Sequence, residues 1–166
     1  MDHLPLRAGG EMEEVIGRYR STVYGLALAK TNSPADADDI FQEVFIAYFQ
    51  SSRTFREEEH RKAWLLRTTL NQCRRLYRSA CRRETVALTG AEPAPVFQRA
   101  EENALWEALC ALREDYRLPL YLFYFEELST AQIAAALSLR PGTVRMRLTR
   151  GREQLREALK GEIFDE

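Results

Sequence analysis

The sequence predicts an all-α protein of two small helical domains joined by a flexible linker, the C-terminal domain carrying a helix-turn-helix. Three observations lead there. Apolar residues recur at helical spacing along most of the 166 residues and nowhere alternate as in a strand. The periodicity fades once, in ETVALTGAEPAPVFQRAE (residues 84–101), where Gly90, Pro93 and Pro95 accumulate. A short segment, SLRPG, then joins two helical patterns near the C-terminus.

A first helix is expected over residues 11–30, with Val15, Ile16, Tyr19, Val23, Leu26 and Ala27 on one stripe. TNSP stops it and starts the next: Ser33 suits an N-cap, Pro34 the first helical position, and Asp36 a first turn whose dipole favours an anion. This second helix continues through IFQEVFIAYFQ. After the polar loop SSRTFREEE, a long helix over residues 60–83 turns Trp64, Leu65, Thr68 and Leu76 inward. Past the linker, helices are expected over 103–112 and 116–127, with Pro119 tolerable only in a first turn. Ser129 and Gln132 have the spacing of a capping box ahead of IAAAL. The last helix opens at Pro141 and runs to about Lys160. The expected domains are therefore residues 1–83 and 102–166, with 84–101 between them.

Composition removes several function classes. With 45% hydrophobic and 30% charged residues the chain has the make-up of a soluble globular protein, and no apolar run is long enough to cross a bilayer, so membrane insertion is not expected. MDHLPLRAGGEMEEV lacks the basic and apolar regions of a signal peptide, which makes the cytoplasm the expected compartment. Cys73, Cys81 and Cys110 are odd in number, and the nearest pair lies eight residues apart on one expected helix, so no disulfide framework is expected. Without a Cys/His cluster, and with only His3 and His60, neither a structural zinc nor another metal or cofactor is expected. An E-x-x-H spacing from Glu57 to His60 could form half of a di-iron bundle site, but its second half is missing. No P-loop, dinucleotide turn or nucleophile–base pair points to catalysis.

A formal net charge of −1 conceals strong segregation. From His60 to Arg83 there are Arg61, Lys62, Arg67, Arg74, Arg75, Arg78, Arg82 and Arg83 and no acid. From Arg140 to Lys160 come Arg140, Arg145, Arg147, Arg150, Arg152, Arg156 and Lys160 against Glu153 and Glu157. Two basic blocks in separate places point to two contacts with a polyanion. Acids collect elsewhere, at Asp36, Asp38, Asp39 and Glu43.

The C-terminal block falls on the second helix of the helix-turn-helix. At about 100° per residue, Val144, Leu148, Gly151 and Leu155 face the core. Gly142, Thr143, Met146 and Thr149 then point away, flanked by Arg145 and Arg147. A small, partly polar tip can enter a major groove, guanidinium groups can reach guanine edges or phosphates, and the helix start at Pro141 offers amide donors. Gly151 costs about 1 kcal/mol relative to alanine inside a helix, so close packing on a neighbour is expected there.

The stretch LREDYRLPLYLFYFEELSTAQIAAALSLRPGTVRMRLTRGREQLREAL closely resembles the C-terminal DNA-binding region of extracytoplasmic-function (ECF) sigma factors, promoter-specificity subunits of bacterial RNA polymerase. DADDIFQEVFIAYF resembles that family's polymerase-binding segment, and EEHRKAWLLRTTLNQCRRLYRS its segment that reads and opens the downstream promoter element. The resemblance implies roles residue by residue. Asp36, Asp38, Asp39, Gln42 and Glu43 would dock on the coiled-coil clamp helices of the polymerase largest subunit. Arg67, Asn71, Arg74, Arg75 and Arg78 would face the downstream element, with Trp64 anchoring the packing. Pro141, Gly142, Thr143, Arg145, Met146, Arg147, Arg150 and Arg152 would meet the upstream element. Core polymerase, promoter DNA and an anti-sigma factor are the implied partners. Arg75 departs from the family pattern, where an acid is common, as do Arg140, where a small N-cap residue is common, and Gly151, where alanine is typical. A regulator that binds duplex DNA without polymerase would also explain the C-terminal helices, but it leaves the acidic second helix and the first basic block without a role.

Overall fold

The computed structural model describes residues 9–80 and 100–163. The chain divides into two compact units, residues 1–95 and 96–166. Among the described residues the structure is helical with short connections: α1 (Gly9–Thr31), α2 (Pro34–Gln50) and α3 (Glu58–Ala80) in the first unit, then α4 (Ala100–Cys110), α5 (Glu114–Tyr124), α6 (Thr130–Leu137) and α7 (Pro141–Ile163) in the second. The expected linker, residues 84–101, lies outside the described residues except for Ala100 and Glu101, which already belong to α4. Residues 81–83, assigned from sequence to the end of the long helix, lie outside them too.

In the first unit the α1–α2 corner forms as its sequence dictates. Asn32 takes the left-handed conformation, φ 52°, that asparagine tolerates after a helix, and its N–H donates to the Leu28 carbonyl at 2.7 Å. Ser33 caps α2, its Oγ accepting from the Asp36 N–H at 3.3 Å, and Pro34 opens the helix. Val15, Tyr19, Val23, Leu26 and Ala27 of α1 are buried as expected; Ile16 is only partly covered. They meet Ala37, Ile40, Val44, Phe45 and Tyr48 of α2. The buried face of α3 is wider than the expected stripe, because α3 packs on both α1 and α2. Leu65, Leu66, Thr69, Leu70 and Cys73 are buried, whereas Trp64, Thr68 and Leu76 are half-buried at its edge. The Thr69 hydroxyl donates to the Leu65 carbonyl at 2.7 Å, which satisfies it inside the core.

A polar clamp closes one end of this unit. The Tyr19 hydroxyl and the Arg61 guanidinium both donate to the Glu58 carboxylate, and Arg18 lies 3.3 Å from it. Burial first, then the hydrogen bond and charge of Glu58, push the Tyr19 phenol from 10.0 up to about 12. The folded state thus holds this proton more tightly than the unfolded one. Its stabilisation is complete below pH 10.0 and is lost as the pH rises through about 12. Tyr19→Phe is expected to flatten the alkaline limb of a circular-dichroism unfolding profile over that window. An unchanged limb would assign alkaline unfolding to other groups.

The second unit is built around Leu109, Leu120, Leu122, Ile133, Val144, Leu148 and Leu155. Trp106 packs edge-on against Tyr121 and Phe125, with centroids 5.9 and 5.7 Å apart. α5 begins two residues earlier than its pattern suggests, because Glu114 and Asp115 furnish an acidic first turn and the Tyr116 and Arg117 N–H groups bond the Arg113 carbonyl at 3.0 and 2.8 Å. Pro119 consequently sits in the second turn, not the first. It is buried, and the Asp115 carbonyl goes without its usual helical donor. α5 ends at Tyr124, three residues early, and Glu127 at φ 55° turns the chain toward the capping box of α6, in which Ser129 and Gln132 cap each other.

Gly151 is the close approach that its presence in a helix interior implies. A Cβ there would lie 2.6 Å from Cδ1 and 3.2 Å from Cγ of Leu120, and 3.4 Å from Cβ of Tyr116. Leu120 is itself fully buried, so moving its side chain aside disturbs the core around it. Alanine would add about 1 kcal/mol of helix propensity but overpack the contact at a cost of about 1 to 3 kcal/mol. Gly151→Ala is therefore expected to lower the thermal midpoint of the full chain. A raised midpoint would mean that Leu120 gives way.

Candidate protein and nucleic-acid interfaces

On α2 the buried residues Ala37, Ile40, Val44, Phe45 and Tyr48 fix which side faces out. Asp39, Gln42 and Glu43 are exposed on the opposite side, while Asp36 and Asp38 are half-buried near the helix start. Among the described residues none of these four carboxylates pairs with a basic side chain. The Asp39 carboxyl is raised by burial and then by the charges of Asp38, Asp36 and Glu43. Negative charge is thus concentrated without an internal counter-ion, an arrangement that a basic partner would relieve. The structure adds Ile46 to this face: it is 48% exposed, one turn beyond Gln42 and Glu43. Its placement opposite Val44 and Tyr48 on the helix was legible; that its side chain stays uncovered was not.

α3 carries the contrasting charge. Arg67, Asn71, Arg74 and Arg78 are all exposed, and at 3.6 residues per turn they fall within about 60° of one another. Arg75, also exposed, is turned away from that stripe toward Gln72 and Leu76. Trp64 sits edge-on to Tyr48 and Phe55, at 5.8 and 6.1 Å, so it braces the helix against α2 and the following loop. Beside Arg74 and Arg78 lies Tyr77, 44% exposed, whose hydroxyl donates to the Lys30 carbonyl at 3.2 Å. The Lys30 ammonium lies 5.8 Å from the centroid of that ring, so Tyr77 ties α3 to the end of α1.

In the second unit the helix-turn-helix is set by local chemistry. Ser138 ends α6 in the left-handed conformation, φ 56°, and the Leu139 N–H donates to the Ala134 carbonyl at 2.9 Å. Val144, Leu148, Gly151 and Leu155 of α7 are buried as their spacing predicts. Pro141, Gly142, Arg145, Met146 and Arg150 are exposed and Thr143 is half-exposed. The Thr149 hydroxyl is spent on the Arg145 carbonyl at 2.9 Å.

The arginines of α7 divide into two groups. Arg145 and Arg150 project from the outer side and form no ion pair among the described residues. Arg147 and Arg152 flank the core instead. Arg147 reaches the Asp115 carboxylate at 3.8 Å. The Arg152 guanidinium stacks 4.8 Å from the Phe123 ring centroid, and its Nε donates to the Tyr124 hydroxyl at 3.2 Å. Both therefore tie α7 to α5.

Among the described residues no group of three or more His, Cys, Asp or Glu side chains could hold a metal ion, and no helix is long and apolar enough to cross a membrane.

Comparison with known proteins relates the sequence and the fold to one family. Residues 15–83 match sigma-70 region 2 and residues 102–155 match sigma-70 region 4. The chain is 31% identical to the ECF RNA polymerase sigma factor SigE of Mycolicibacterium smegmatis over 89% of this chain and 61% of the relative. It is 32% identical to the probable RNA polymerase sigma factor RfaY of Xanthomonas campestris, over 94% of this chain and 43% of the relative. The chain thus spans about two-fifths to three-fifths of the length of these two relatives. Its fold is similar to that of the sigma factor RpoE of Bartonella quintana, solved in complex with the anti-sigma factor NepR, with a TM-score of 0.62, 21% identity, and coverage of 90% of this chain and 97% of that one. The chain belongs to the sigma-70 family, within its extracytoplasmic-function group.

Proposed function

We propose that the chain is a promoter-specificity factor that docks on core RNA polymerase through α2, engages and opens the downstream promoter element through α3, and reads the upstream element through α7. One observation carries this: a single three-helix unit exposes an acidic face on α2 and a basic stripe on α3, neither compensated among the described residues. One polyanion satisfies only the second. A basic protein surface and a nucleic acid together satisfy both.

Each role follows from side-chain chemistry. Asp36, Asp38, Asp39, Gln42 and Glu43 meet cationic side chains of the polymerase around Ile46. Arg67, Asn71, Arg74 and Arg78 attract phosphate and hydrogen-bond or stack on bases as the strands part. On α7, the Pro141 and Gly142 end offers amide donors to a phosphate, Thr143, Arg145 and Met146 reach base edges, and Arg150 binds the backbone. Arg147 and Arg152 keep α7 in register on α5. Two promoter contacts made by one chain reinforce each other through effective concentration. A related sigma factor is held by an anti-sigma protein, and a partner of that kind covering these faces in the cytoplasm would keep this chain inactive.

The test is reconstitution with purified bacterial core polymerase. Stable co-elution is expected, with run-off transcripts from discrete starts on a genomic fragment library that share two separated elements. Duplex DNA binding without co-elution would overturn the proposal in favour of a polymerase-independent regulator.

A further inference from the structure

α2 and α3 leave between them an open cleft of about 330 Å³, lined by Asp39, Ile40 and Glu43 from one helix and Gln72, Arg75 and Leu76 from the other. Ile40 and Leu76 make an apolar floor, being 2% exposed and half-buried respectively. The walls carry opposite charges. Asp39 and Glu43 stand exposed on one side and Arg75 on the other, yet among the described residues no ion pair joins them. Cation and anions face the same opening and leave each other unpaired.

We infer that this cleft is a two-signed docking groove, into which a partner helix inserts a basic side chain toward Asp39 and Glu43 and an acidic side chain toward Arg75. Arg75 then belongs to polymerase docking and not to the downstream DNA face, which the family resemblance implies for it. Size supports insertion of side chains only: one turn of a helix, about 10 Å across and 5.4 Å long, exceeds the cleft, so the partner backbone lies along its rims. Charge argues against DNA as the occupant. A phosphate brought to Arg75 would also face the two carboxylates that line the same cleft, and their charge opposes it. Arg67, Asn71, Arg74 and Arg78 offer phosphate a stripe of α3 that carries no acid of its own.

This inference rests on α2 being the polymerase-docking face, and the experiment separates the two. Full-length Arg75→Glu and Arg75→Gln would be compared with the unmodified chain for affinity to core polymerase, and for promoter binding by holoenzyme at saturating core over a range of salt. Arg20→Glu makes the same charge change as Arg75→Glu on an exposed position of α1. Arg75→Glu is expected to lower core affinity at least about tenfold, by placing like charges together, with a smaller loss for Arg75→Gln and none for Arg20→Glu. The salt slope of promoter binding should stay unchanged. If core affinity is unaltered and the salt slope falls by about one unit, Arg75 is a DNA contact and the inference is wrong. An equal loss with Arg20→Glu would reduce the effect to net charge and overturn it as well. A double reversal of Asp39 and Glu43 decides the other level. If that variant loses core binding while Arg75→Glu does not, only the role of Arg75 fails; if it too keeps core binding, the docking face fails and the groove falls with it.

Discussion

Exchanging Asp39 and Glu43 together for arginine is expected to abolish stable binding to core polymerase while the helical circular-dichroism signal survives. The two side chains are exposed, lie off the buried face formed by Ala37, Ile40, Val44, Phe45 and Tyr48, and form no ion pair among the described residues whose loss would unsettle the fold. Attraction at two positions becomes like-charge contact, which costs several kcal/mol, so a loss of about a hundredfold or more is expected, roughly 2.8 kcal/mol. The acids themselves repel one another, since the raised Asp39 carboxyl reflects burial and then its neighbours' charges. Such a raised value means that ionised Asp39 costs stability at neutral pH, a cost that falls away as the pH drops through its folded-state value. Asp39→Asn should consequently weaken docking without lowering the thermal midpoint. A midpoint that falls with Asp39→Asn would show that the carboxylate supports the fold, and unchanged co-purification of the double reversal would remove α2 from the docking surface.

Much of the fold was legible because its signals are local. Ser33 with Pro34, and Ser129 with Gln132, start helices through bonds made within four residues. The buried stripe of α7 follows from the 3.6-residue period, and Gly151 announced a close neighbour by its cost in a helix. What could not be read depends on which helix lies alongside. Thr69 instead of Thr68 is buried because α3 meets both α1 and α2. Pro119 lies in a second turn because α5 starts on Glu114 and Asp115. Arg75 shares a cleft with acids 32 and 36 residues earlier in the chain, which the charge sum of its own segment conceals. The half-exposed ring of Tyr77, tied to Lys30, and the exposed side chain of Ile46 are likewise properties of packing that periodicity does not carry.

The arginines of α7 show the same limit and yield the last expected result. Spacing from the helix start groups Arg150 with Arg152 as phosphate contacts, but the structure gives Arg152 to Phe123 and Tyr124, and Arg147 to Asp115. Arg152→Ala should therefore lower the thermal midpoint, because a cation–π contact and a hydrogen bond between α5 and α7 are lost together, on the order of 1 kcal/mol in all. Arg150→Ala should leave the midpoint alone, weaken binding to all upstream elements alike, and reduce the salt slope by about one unit. Arg145 and Met146 face the groove side, so their replacement should change preference at individual bases, with about 1 to 3 kcal/mol at stake for a bidentate arginine contact. Holoenzyme transcription across a library of upstream elements at several salt concentrations, alongside thermal melts of each variant, separates the three behaviours. If Arg152→Ala leaves the midpoint unchanged and reduces the salt slope as Arg150→Ala does, its guanidinium leaves Phe123 to bind DNA. If Arg145 and Met146 variants keep every base preference, the face of α7 turned toward the groove is not the one that Gly142 and Met146 mark.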